Sequence, residues 1–171
     1  MSDFERVRDS FVAQWGALGT QWGINRTMAM IHAYLMVSPG PRDTEEIMGV
    51  LRVSRGNANT NLRELVDWGL IRKVVRPGER REFFEAEKDT WRMFCTIARE
   101  RKRRETEPAQ QLLRAYAKDA ARFEGDEAGE FRRQLSALGD FVETSNRIVE
   151  RMATEKRGRV MPKLLKILKL A

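Results

Sequence analysis

Residues 54–75 read SRGNANTNLRELVDWGLIRKVV, and the polar first half of that stretch should make a poor helix. Gly56, Asn57, Asn59 and Asn61 all rank low in helix propensity. Asparagine competes for the backbone with its own amide, and glycine has the most freedom to lose. On a helical wheel of 55–68, however, Ala58, Leu62, Leu65 and Val66 gather on one side, at spacings of four, seven and eight. That side predicts a core contact. The opposite face presents Gly56, Asn57, Thr60, Arg63 and Glu64, with Arg55 and Asn61 at its edges, while Asn59 falls toward the core side. A helix divided in this way draws its stability from packing and keeps its polar face for another use.

The flanking sequence gives this helix a setting. Upstream, SPGP at 38–41 stops an apolar helix over 24–37, since two prolines and a glycine cannot continue the ladder. Asp43 and Glu46 then form a capping box for a short helix over 44–51 with Ile47, Val50 and Leu51 on one face, and Ser54 is the N-cap of the next. Downstream of Gly69, LIRKVV at 70–75 is β-branched and strand-like, Pro77 and Gly78 make a turn, and REFFEA at 81–86 is the returning strand. Two short helices across a tight turn, followed by a hairpin, predict a winged helix-turn-helix.

The rest of the chain reads as helix. Phe4, Val7, Phe11, Val12, Trp15 and Leu18 mark an amphipathic helix over 3–18, after which Gly16, Gly19 and Gly23 are expected to loosen the chain. Beyond residue 88 the pattern predicts helices over 89–106, 108–123 and 129–156, broken at Pro108, at GDEAG (125–129) and at 158–162. In the last of these, Phe131, Leu135, Leu138, Val142 and Val149 lie near heptad spacing, which suits packing on another helix of this chain or of a second copy. The fold class expected is mainly α with a small β-hairpin wing.

Composition narrows the function. The 171 residues carry a net charge of +7, from 32 Lys and Arg against 25 Asp and Glu, with a pI near 10.0. A mixed but basic surface favours a local anionic partner over a polycationic tail. Cys95 is the single cysteine, so no disulfide within the chain or cysteine zinc site can form, and a reducing compartment, the cytoplasm, is the simplest setting. The start MSDFERVRDS lacks the apolar core of a signal peptide, and no apolar run approaches a bilayer span, so no membrane association is expected. The single histidine, His32, lies in the apolar segment INRTMAMIHAYLMV without an evident partner, and reads as a packed helical residue. No phosphate loop, metal cluster or nucleophile motif appears, so neither enzymatic activity nor a cofactor or metal is expected.

Charge is concentrated where the motif would need it. Between Arg52 and Arg81 eight cations face three acids, an excess of +5, and Arg76, Arg80 and Arg81 flank the hairpin turn. Double-stranded DNA fits this face, because Asn pairs with adenine and Arg with guanine in the major groove while Ser and Thr bind phosphates. Wing arginines would reach the backbone or a narrow minor groove.

The order of two helices, helix-turn-helix, wing and long C-terminal helices is similar to the MarR superfamily of transcriptional regulators. The run SRGNANTNLRELVDWGLIRKVVRPGERREFFEAEKD, then ARERKRRE and EPA, resembles its GbsR branch. That resemblance covers roughly residues 10–125 and implies a homodimer on a pseudo-palindromic operator, more often a repressor than an activator. It implies residues 1–41 as N-terminal helices that contribute to dimerisation and support the DNA-binding domain, 42–88 as the winged helix-turn-helix and 89–171 as a helical dimerisation region. Ser54, Arg55, Asn57, Thr60, Asn61 and Arg63 would then belong to the recognition helix, about 54–68, and Arg76, Arg80 and Arg81 to the wing, about 70–86. A small-molecule effector of unknown identity would fit the branch. A choline-type ligand would need an aromatic cage, for which Trp15, Trp22, Tyr34 and Trp91 are the candidates, although aromatics at helical spacing more often serve as core.

Other features are read less specifically. ARERKRRE at 98–105 fits flanking-phosphate contacts and the solvated side of a helix equally well. VMPKLLKILKLA at 160–171 has the pattern of a short membrane-surface helix, yet its length favours docking on protein. The competing reading of the whole chain is a winged-helix module that binds protein instead of DNA. Its basic residues should be neutralised by neighbouring acids.

Overall fold

The computed structural model describes residues 2–154 and divides after Met93 into two compact units. The basic amphipathic segment 160–171 lies outside the described residues. The first unit contains α1 (Asp3–Gln21), α2 (Arg26–Val37), β1 (Arg42–Asp43), α3 (Thr44–Leu51), α4 (Arg55–Asp67), β2 (Ile71–Val74) and β3 (Phe83–Ala86). Helix α5 (Thr90–Arg101) crosses the division.

Helix α1 starts at a capping box between Ser2 and Glu5 and runs past the expected end at residue 18. Gly16 and Gly19 do not loosen it. Both are buried, and a Cβ built on Gly16 would stand 2.4 Å from the Met30 Cγ. The two glycines let α1 and α2 approach backbone to backbone, and only Gly23, at φ 74°, makes the turn between them. Asn25 then caps α2 by accepting from the Thr27 and Met28 amides. Val12, Met28, Ile31, Leu35, Ile47, Leu62 and Leu65 are the large fully buried side chains, so the N-terminal helices and the helix-turn-helix share one core.

The wing has three strands where the sequence predicts two. The order is β1-β3-β2, antiparallel throughout, with Asp43 opposite Phe83 and Ile71 opposite Ala86. Strand β1 is only two residues long, and its second residue is also the N-cap of α3. The Asp43 carboxylate accepts from the Glu46 amide at 2.8 Å while Glu46 bonds back to the Asp43 amide. After β3, Lys88 Nζ donates to the carbonyls of Leu35, Met36 and Ser38 at 2.9, 2.6 and 2.6 Å, closing the C-terminal end of α2.

The second unit is an antiparallel helical hairpin. The expected break at Pro108 is absent. Residues Lys102–Thr106 form a π-helical turn, and α6 (Glu107–Ala120) follows with Pro108 in its first turn, where a missing amide costs nothing. Helix α7 (Asp126–Thr154) returns alongside it. Thr106 Oγ1 bonds to the buried Asn146 Oδ1 at 2.5 Å, Lys102 pairs with Glu150 at 2.6 Å, and Arg114 pairs with Glu143 at 3.1 Å. The Glu150 hydrogen bond holds the Lys102 ammonium above its usual pKa. No helix among the described residues is long and apolar enough to cross a membrane.

Candidate nucleic-acid interface

Helix α4 begins where the Ser54 Oγ accepts from the Asn57 amide at 3.3 Å. The turn before it holds Arg52 at φ 54°, a left-handed conformation unusual for a residue with a side chain. Ala58, Leu62 and Leu65 are buried as the periodicity predicts, and Arg55, Gly56, Asn57, Thr60 and Arg63 are exposed. A Cβ on Gly56 would meet nothing within 4 Å, so the backbone is bare at the front of the helix.

Two asparagines exchange the places expected of them. Asn61 is only 3% exposed, and its Nδ2 donates to the Asn57 carbonyl and to Asn57 Oδ1, so it cannot present its amide to a ligand outside the protein. Asn59 is exposed and lines two grooves between α4 and the wing. One groove, about 280 Å³, runs between Asn59, Arg63 and Lys73; the other, about 250 Å³, lies between Arg55, Asn59 and Arg81. The buried arc of α4 is centred on Ala58, Leu62 and Leu65, and Val66 is half-buried, which turns the helix toward Asn61.

Gly78, at φ 81°, shapes the tip of the wing, and the arginines around it differ in how firmly they are held. The Arg81 guanidinium lies 2.5 Å from the buried Asp43 carboxylate and also meets Glu79, whose hydrogen bond and charge hold its pKa above the usual value, with the Asp43 charge adding to this. Arg76 lies over the Phe83 ring, 4.1 Å from its centroid, and donates to the Pro41 carbonyl at 3.3 Å. Arg80 is exposed. Elsewhere on this face Arg55 pairs with Glu45, Arg72 with Glu85 and Lys73 with Glu82. Among the described residues, Arg52, Arg63, Arg76 and Arg80 have no carboxylate partner. Sequence reasoning counts Arg52 in the basic excess of this surface but does not name it as a contact residue, because nothing local marks it except its place in the turn.

The chain is similar to a known regulator. It is 27% identical over 140 residues to the HTH-type transcriptional regulator MmpR5 of Mycobacterium tuberculosis, a match that spans 81% of this chain and 80% of that one. A crystal structure of a transcriptional regulator has the same fold, with a TM-score of 0.69, 21% identity and coverage of 90% of this chain and 97% of that one. No protein-family model matches the chain.

The aromatic residues named as effector candidates have different surroundings. Trp15 and Trp22 pack edge to face, with ring centroids 6.3 Å apart, and Phe11 extends the row on Trp15 at 5.7 Å. Tyr34 is buried, and the Arg8 guanidinium already lies over its ring, 5.5 Å from the centroid, where a ligand cation would sit. Trp91 is half-buried at the start of α5, and its amide donates to Asp89 at 2.8 Å. The arginine-rich 98–105 stretch is held by acids of its own unit. Arg101 pairs with Glu105, Lys102 with Glu107 and Glu150, and Arg103 and Arg104 with the buried Glu100. The Arg103 hydrogen bond keeps the Glu100 carboxyl below its usual pKa. His32 is buried as expected, but its Nε2 has no hydrogen-bond partner among the described residues, and burial lowers its pKa to about 4. No group of three or more His, Cys, Asp or Glu among the described residues could hold a metal ion.

Proposed function

We propose that the chain is a sequence-specific DNA-binding transcriptional regulator, a cytoplasmic repressor of the GbsR type that acts as a homodimer on a pseudo-palindromic operator. Helix α4 enters the major groove in this reading, and the wing follows the flanking backbone. One observation carries it. A helix with a wholly packed side turns Arg55, Asn57, Asn59, Thr60 and Arg63 outward beside a wing that bears Arg76 and Arg80. The likeness to MmpR5, an HTH-type transcriptional regulator by name, supports the same reading.

Dimerisation is supported by apolar side chains without cover within their own units. Phe4 and Val7 of α1 are 72% and 69% exposed, and Phe141 of α7 is 71% exposed. An effector that altered the spacing of two recognition helices would regulate such a dimer, and the Trp15–Trp22 row is the candidate contact. Light scattering of the purified protein together with a salt titration of duplex binding tests the proposal. A dimer whose affinity falls steeply with salt and which prefers particular sequences is expected; a monomer without duplex affinity overturns it.

The protein-binding reading is favoured by one finding, the carboxylates against Arg55, Arg72, Lys73 and Arg81. Solvent-accessible pairs such as those of Arg55, Arg72 and Lys73 are worth only about 0–1 kcal/mol, so phosphates can replace those acids at little cost, whereas Arg81 is held by the buried Asp43. Absence of salt-sensitive duplex binding would decide for the protein partner.

A further inference from the structure

Asn61 is the one polar side chain on the buried side of α4, and a leucine there would continue the row of Ala58, Leu62 and Leu65. A buried amide is retained without loss only where its hydrogen bonds are used. Asn61 Nδ2 donates to the Asn57 main-chain carbonyl at 2.8 Å and to Asn57 Oδ1 at 2.7 Å. A main-chain carbonyl can only accept, so the first bond decides which end of the Asn61 carboxamide carries nitrogen. The second then decides that the facing atom of Asn57 is its oxygen. At its other end Asn57 Nδ2 donates to Thr27 Oγ1 at 3.2 Å, on the first turn of α2. The exposed Asn57 amide is thus gripped from two helices in one of its two orientations.

Each end of that amide keeps one unused capacity, a lone pair on Oδ1 and a hydrogen on Nδ2. In the major groove adenine offers an N6–H donor beside the N7 acceptor, the complement of what Asn57 has left, whereas guanine offers two acceptors. We infer that Asn61 and Thr27 are positioning residues that preset the Asn57 carboxamide for adenine, so that each half-site carries an A·T pair at the position Asn57 meets. This rests on the DNA-binding reading above.

The test selects duplexes from a random library with the parent protein and with Asn57→Ala, Asn61→Leu, Thr27→Val and Thr27→Ser, each checked for folding by circular dichroism. The parent should select a half-site containing an adenine whose replacement by guanine weakens binding about tenfold. Asn57→Ala should lose that preference at the one position, Asn61→Leu and Thr27→Val should blunt it there alone, and Thr27→Ser, which keeps the hydroxyl, should restore it. Folded Asn61→Leu and Thr27→Val proteins that keep the parent's preference, or lose preference evenly at every position, overturn the inference. Should Asn61→Leu fail to fold, the Val and Ser variants at Thr27 carry the test alone. A parent protein with no sequence preference at all overturns the DNA-binding reading itself, a result distinct from either.

Discussion

Gly19 and Ala29 meet so closely that a Cβ on Gly19 would stand 2.5 Å from the Ala29 Cβ. The Ala29 methyl is fixed to its backbone, so no rotamer change can relieve such a contact, and α1 would have to move away from α2.

Gly19→Ala should therefore destabilise the protein although alanine is the better helix former. Overpacking costs about 1–3 kcal/mol, against the roughly 1 kcal/mol that alanine gains in a helix. Urea denaturation should give a lower midpoint for Gly19→Ala and also for Gly16→Ala, whose added methyl would meet Met30 Cγ at 2.4 Å and the Arg26 carbonyl at 3.2 Å. Equal or raised midpoints would refute the close crossing.

His32 should make stability depend on pH. Its folded pKa, about 4, lies below the ordinary 6.5 because burial disfavours the imidazolium. Between those values the unfolded chain binds a proton that the folded chain does not, so stability is full above pH 6.5 and declines as pH falls toward 4. The loss should amount to roughly 3 kcal/mol across that window. Unfolding free energies at several pH values check this, and His32→Leu should flatten that part of the profile.

Lys88 joins the segment after β3 to the end of α2 through three carbonyls. Lys88→Met keeps most of the aliphatic stem and deletes the donors, and it should cost about 1–3 kcal/mol. A thermal melt that matched the parent would remove Lys88 from the account of α2 termination.

On the DNA-binding proposal, Arg63 and Arg80 should behave differently from Arg81. Arg80→Ala should lower affinity for all duplexes alike and reduce the salt slope by about one contact, and Arg63→Ala should reduce preference among sequences. Arg81→Ala should also lower thermal stability, because it exposes the buried Asp43 to loss of its partner. Salt titrations paired with melting curves separate the three, and a stable Arg81→Ala protein would count against the Asp43 contact.

Much of this fold was legible in short-range chemistry. The Asp43–Glu46 capping box, the Ser54 cap and the buried Ala58, Leu62 and Leu65 are where the sequence places them. The two-residue β1 was not legible, since a strand that short has no periodicity. The π-helical turn was hidden because Pro108 is equally at home after a break and in a first helical turn. The exchange of Asn59 and Asn61 has a simpler cause. On a wheel of about 100° per residue, Asn61 lies about 60° from Ala58 on one side and Asn59 about 100° on the other. Counting Val66 as fully buried tilts the axis of the core toward Asn59, and the half-exposed Val66 of the structure tilts it back.

Asp43 ends β1, caps α3 and receives Arg81 from the wing, all while 3% exposed. A residue in three elements at once leaves none of them free to open alone. Hydrogen exchange should accordingly find the amides of Glu46 on α3 and Phe83 on β3 released by one shared fluctuation, so that hairpin and helix-turn-helix fray as a single cooperative block.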